Sequence, residues 1–181
     1  MSRTVAAFAA ALALLQPAAP HAASTPAAQV LHARGLGALV VGMPLDKARR
    51  IPGIALEPQG PPPVPADYCT YFAGRLDGKP FRVRVMEDRV NRIELNAAGF
   101  RTRSGIAVGD SLEQVKRTYG KALAVEPHHY LWRQGFVLMV LGPYRIEGSD
   151  YGMAFVASPE KGVTEIRAGP YEEIRQSEGC Q

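Results

Sequence analysis

Val41-Gly42-Met43-Pro44-Leu45-Asp46-Lys47-Ala48 and Val108-Gly109-Asp110-Ser111-Leu112-Glu113-Gln114-Val115 are the two stretches on which the fold reading turns. They align at a constant offset of 67 residues, and the same offset carries Leu39 onto Ile106 and Gly53 onto Gly120. In each stretch a glycine frees the chain to turn into a helix. Pro44 suits a first helical turn, where its missing N–H forfeits no hydrogen bond. Ser111 with Gln114 three positions on is a capping pair, and Gly120 supplies the closing residue. The spacing predicts one short helix in each copy.

Working outward, strand-like pieces follow each helix. In copy one they are residues 69–72, 80–86 and 90–95; in copy two, residues 129–133, 136–142, 152–157 and 163–168. Phe81-Arg82-Val83-Arg84-Val85 alternates apolar and basic side chains, as a half-buried antiparallel strand does. Glu87-Asp88-Arg89 and Pro159-Glu160-Lys161-Gly162 read as hairpin turns. Val90 matches Val163 and Ile93 matches Ile166 at an offset of 73, so copy two carries a net insertion. The expected fold is α+β: two tandem copies of helix plus antiparallel β-meander, with the helices packed on one face of the sheet. The expected organisation is a signal peptide over 1–23, a flexible leader over 24–35, copy one over 36–100, and copy two with a C-terminal tail over 101–181.

A Val-Gly-Met-Pro-Leu-x-x-Ala turn into a helix, closed by glycine and followed by a meander, resembles the small bacterial envelope modules of the SmpA/OmlA (BamE-like) type. In tandem, over residues 36–170, the pattern resembles the β-lactamase-inhibitor protein fold, which is built from two such copies. Copy two departs from it, with Asp110-Ser111 where the pattern has Met and a hydroxyl residue, and the N-terminal segment lacks the lipid-anchor cysteine of envelope lipoproteins. No functional residue of either family matches position by position, so none is carried over. The resemblance implies a binding role, in envelope assembly or in enzyme inhibition.

Met1-Ser2-Arg3, the apolar run from Val5 to Leu15, and the small residues from Gln16-Pro17 to Ser24 are the parts of a secretory signal peptide, with cleavage expected near residue 23. A membrane span needs about 20 apolar residues, more than this run holds. No transmembrane anchor is therefore expected, and the localisation reads as periplasmic or secreted. Pro58-Gln59-Gly60-Pro61-Pro62-Pro63-Val64-Pro65 reads as a stiff, extended connector. Across 181 residues, 46% are hydrophobic and 21% charged, which excludes a disordered tail or a fibrous repeat. Lys+Arg 21 against Asp+Glu 17 leaves +4. The basic residues are scattered rather than gathered in one arm, so no nucleic-acid partner is expected.

Two cysteines exclude a Cys-rich metal framework. In an oxidising compartment Cys69 and Cys180 are expected to form a disulfide. The other reading makes Cys69 a nucleophile assisted by His128 or His129. Neighbouring histidines in an extended segment point to opposite faces, so these two cannot easily grip one metal. Neither a Gly-x-Ser-x-Gly elbow nor a phosphate-binding glycine loop occurs. No catalytic residue, metal site or cofactor is assigned.

Two surface features stand out. Arg82 and Arg84 share one strand face and Arg92 lies on the next strand. They form either an anion-facing patch or a solvated face partly neutralised by Glu87, Asp88 and Glu94. Phe136 to Leu141 is apolar on both faces, which with helices on one side leaves Val137, Met139 and Leu141, or the alternate set, on an open face. Tyr130 and Trp132 lie nearby at spacing two. Exposed aromatic and Met surface is what protein interfaces are made of, although burial of both faces is the competing reading. The function expected is an exported, non-enzymatic protein that binds another protein through Tyr130, Trp132, Met139, Arg82, Arg84 and Arg92. It would serve as an inhibitor or immunity factor against a secreted or cell-wall-directed enzyme. The alternatives are a structural accessory of envelope assembly or maintenance, and an enzyme with an unrecognised site.

Overall fold

The computed structural model describes residues 29–60 and 69–180. Strands β1 (Val30–His32), β2 (Gly35–Leu36) and β3 (Leu39–Val40) are followed by helix α1 (Leu45–Ala48). A first run of long strands comes next: β4 (Ile54–Gln59), β5 (Thr70–Leu76), β6 (Lys79–Met86) and β7 (Arg89–Leu95). Strand β8 (Arg101–Thr102) and helix α2 (Leu112–Tyr119) lead to a second run: β9 (Leu123–Pro127), β10 (Val137–Ile146), β11 (Ser149–Ser158) and β12 (Gly162–Pro170). Helix α3 (Tyr171–Arg175) and a tail to Cys180 close the described chain.

The long strands form one eight-stranded sheet in the order β4-β5-β6-β7-β12-β11-β10-β9. The two runs meet at an antiparallel seam, where Ile93, Glu94 and Leu95 pair with Ala168, Arg167 and Ile166. Because side chains alternate across a strand, each run offers two faces. On one face Phe81, Val83, Val85, Ile93, Met139, Phe155 and Ile166 join a single core with Leu45 and Ala48 of α1, Leu112 and Val115 of α2, and Leu31, Leu36 and Leu39 of the small strands. On the other, Leu138, Val140, Ala154 and Val156 pack on Ile174 and Tyr171 of α3. Helix α2 begins where the sequence placed it, with Ser111 Oγ accepting from the Gln114 N–H at 3.1 Å, and it ends at Gly120, whose φ is +52°.

The expectation of an α+β chain with two helix-plus-meander copies and helices on one face is overturned. The molecule is mostly β. Among the described residues there are three short α-helices, of four, eight and five residues, and a second sheet in the order β3-β2-β1-β8. Helix α3 lies on the face opposite α1 and α2. The starts of α1 and α2 were visible in sequence, as was the end of α2 at Gly120, but the length of α1 was not: it stops within one turn, ahead of Pro52 and Gly53. Part of the segment taken as a leader is instead structural, since Leu31 of β1 is wholly buried. Strands of two or three residues carry no period to detect.

Pro58 and Gln59, read as connector, belong to β4, where an edge strand tolerates proline. The strand expected at 129–133 is a loop ending in a 3-10 turn at Trp132–Gln134. The signal-peptide residues 1–23, the leader residues 24–28 and residues 61–68 of the proline stretch lie outside the described residues.

Candidate functional site

Alternation along β6, β7 and β12 sets Arg82, Arg84, Arg92, Glu94, Glu165 and Arg167 on the face opposite the main core. Arg82 Nε and Arg92 Nε donate to the two oxygens of Glu94, at 2.5 and 2.7 Å, and Glu94 is fully buried. Arg167 Nε donates to Glu165 at 2.8 Å. Arg84 is held by its Nε and Nη2 on Asn91 Oδ1, at 3.0 and 2.8 Å. Tyr71 adds a hydroxyl that accepts from Arg92 at 3.0 Å and a ring under the Arg82 guanidinium.

Residues 171–180 run over this floor as a strap. Arg92 Nη1 donates to the Glu173 carbonyl and Arg167 Nη1 to the Gln176 carbonyl, both at 2.7 Å. The Glu173 carboxylate pairs with Arg84. Cys180 is bonded to Cys69 just before β5, with a Cα–Cα distance of 5.3 Å. The strap corrects the expectation of an open arginine face: Arg84 and Arg92 are 3% and 2% exposed, and only Arg82 keeps a partly exposed side chain. Burial, reinforced by the neighbouring Arg92 charge, lowers the Arg84 guanidinium to about 10. Cys69 is not a free thiol, which removes its reading as a nucleophile.

Tyr130 and Trp132 are 53% and 55% exposed in the loop from β9 to β10. His128 shapes that loop. Its Nδ1 accepts from the Tyr130 and Leu131 N–H groups at 3.3 and 3.2 Å, and its carbonyl accepts from the Trp132 N–H at 3.0 Å. An imidazole with an accepting Nδ1 is neutral, or it could not accept. Burial, then the Arg167 charge, pushes its pKa below the usual histidine value. Beside the loop a groove of about 360 Å³ runs between β9 and the strap. Arg175 Nη2 spans it to Glu126 at 2.9 Å, and the Tyr130 hydroxyl donates to Glu178. The Glu178 carboxylate holds the phenol above its usual pKa.

No family model, curated protein or solved structure matches this chain. Trp132 and Tyr130 stand at the surface, in a loop rather than on the strand face expected for them. Met139 does not. It is fully buried in the main core on the α2 side, so it has no surface to offer a partner. Over Leu138–Leu141 both faces of β10 are covered, one by the core with α2 and the other by α3, which leaves no open sheet face there.

Sequence reasoning passed over Tyr71, Glu165, Arg167 and Glu173, and weighed His128 only as a partner of Cys69 or a metal ligand. A signal for part of this was present: Arg82-x-Arg84, Arg92-x-Glu94 and Glu165-x-Arg167 place charge at spacing two on three strands, which sets it on one face of each. Among the described residues no group of three or more His, Cys, Asp or Glu is placed to hold a metal ion. No helix among them is long and apolar enough to cross a membrane.

Proposed function

We propose that this chain is an exported, non-enzymatic protein that binds another protein, acting as an inhibitor or immunity factor against a secreted or cell-wall-directed enzyme. The observation that carries this reading is the pair Tyr130 and Trp132, half-exposed in one loop beside the groove under the strap. Large aromatic side chains on a fixed frame bury much area at little entropic cost, which is why they anchor interfaces. The loop is fixed by His128, and the frame by the eight-stranded sheet. A disulfide from the chain's end to the start of β5 suits a protein working in an oxidising compartment.

The test captures partners from the host's envelope extract and culture supernatant, then measures affinity for the captured protein. Trp132→Ala should weaken that affinity by about 2 kcal/mol or more, roughly 30-fold. Because the indole is exposed, the same change should move folding stability by no more than about 0.5 kcal/mol. Unchanged affinity in both Trp132→Ala and Tyr130→Ala would overturn the reading.

A further inference from the structure

The charged floor is recognised at present by its own chain. We propose that it is a binding site for an acidic peptide that docks as a short helical turn with an extended tail, as residues 171–179 do, and that the strap is its resident occupant, exchanged for such a peptide once the Cys69–Cys180 bond is opened. This goes beyond the aromatic-loop reading and does not depend on it.

The strands alone supply four arginines, Arg82, Arg84, Arg92 and Arg167, against two carboxylates, Glu94 and Glu165. Both carboxylates are already engaged: Glu94 by Arg82 and Arg92, Glu165 by Arg167. On the floor itself Arg84 finds only the neutral Asn91 amide. Its carboxylate, Glu173, arrives with the strap. Without the strap the floor is therefore cation-rich, and an ionised guanidinium left without its counter-charge attracts an anion strongly where water is partly excluded.

The contacts also say what shape of anion fits. Arg92 and Arg167 donate to main-chain carbonyls of Glu173 and Gln176, three residues apart, so the floor reads a peptide backbone as well as a carboxylate. The residue after Glu173 is Ile174, wholly buried against Leu138, Val140, Ala154 and Val156. The recognised pattern is thus a glutamate followed by an aliphatic residue, with a free carbonyl three positions after the glutamate. A headgroup phosphate satisfies only the first of these demands.

The disulfide keeps the strap in place. Tethered at both ends, by β12 and by Cys69, the strap holds an effective concentration that a free peptide does not match. A dithiol opens the latch by thiol–disulfide exchange. Two electrons and two protons pass to the Sγ–Sγ bond, leaving two cysteine thiols on the chain and a disulfide on the reagent. The strap can then lift from the Pro170 end of β12, and a peptide carrying the same groups can replace it.

The experiment uses the full chain and a labelled peptide with the sequence of residues 171–179, followed by fluorescence anisotropy. Oxidised protein should not bind it. Protein reduced with a dithiol should bind, and a peptide with Gln in place of the residue-173 glutamate should bind about tenfold more weakly, as should an Arg84→Gln protein. Far-ultraviolet circular dichroism checks that the reduced chain is folded. If it is not, no folded unlatched chain exists to exchange its strap, and the proposal falls. The proposal falls if the folded, unlatched chain ignores the peptide, or if the Gln peptide binds equally well. It also falls if inorganic phosphate or anionic vesicles displace the peptide as effectively as unlabelled peptide does, or if the unlatched chain only dimerises by exchanging straps. Trp132→Ala should leave this anisotropy unchanged, so failure here and failure of the aromatic loop are told apart.

Discussion

His128 stands where β9 gives way to the aromatic loop, and its neutral ring is part of that loop's hydrogen bonding. Charged groups face it from two sides: Arg167 and Glu165 on β12, and His129 in the loop, with Arg167 the stronger influence. An unfolded chain titrates this histidine near 6.5. With the folded value lowered, the native state binds fewer protons than the unfolded state at mildly acidic pH, so stability rises with pH there. The contribution is fully present above the unfolded value and is lost as pH falls through the folded one. Trp132 is the chain's single tryptophan, and it sits in this loop, so its emission reports the event. Acidification should shift that emission before global unfolding. His128→Asn, which keeps an acceptor near Nδ1 but does not titrate, should flatten the early shift. An unaltered profile in His128→Asn would assign the shift to another group, such as His32, whose pKa burial also lowers.

At the scale of elements, α3 docks closely because Gly152 leaves room for it. A Cβ there would lie 2.7 Å from the Leu141 carbonyl oxygen and 2.8 Å from Ile174 Cδ1. Gly152→Ala should therefore lower stability by about 1–3 kcal/mol, read from the denaturant midpoint, and should speed proteolysis after Arg175. Most of the long strands were legible in the sequence. Phe81, Val83 and Val85 point to the core and Arg82 and Arg84 away from it, as their alternation requires. The runs behind β7, β11 and β12 were also found, because six or more residues of apolar spacing make a readable signal. Strand β9 was not, since Leu123-Ala124-Val125-Glu126-Pro127 is an edge strand with little to bury. The small sheet was missed because its strands are too short to repeat. Nor could alternation show that α3 and the strap roof the second face. It assigns side chains to a face, while what covers that face is decided by residues far along the chain.

Across the whole molecule, the Cys69–Cys180 bond ties the last described residue to the first half of the sheet, over a separation of 111 residues. Closing so long a loop restricts the unfolded chain by at most about 4–5 kcal/mol. Cys69→Ser with Cys180→Ser should lower the denaturation midpoint, with the strap becoming the first segment to exchange its amide hydrogens. If the midpoint is unmoved, the latch confers no equilibrium stability. The same whole-molecule view gives meaning to the ends of the eight-stranded sheet. Its outermost strands, β4 and β9, each contain a proline, Pro58 and Pro127. An open sheet edge invites the edge of another molecule, and a proline there withholds a donor from any incoming strand. The sheet is in this sense terminated on both sides against growth into fibrils. Pro58→Val combined with Pro127→Val should leave the monomer folded, yet its solutions should develop light scattering and thioflavin-positive aggregates on storage. The parent protein should stay clear at the same concentration.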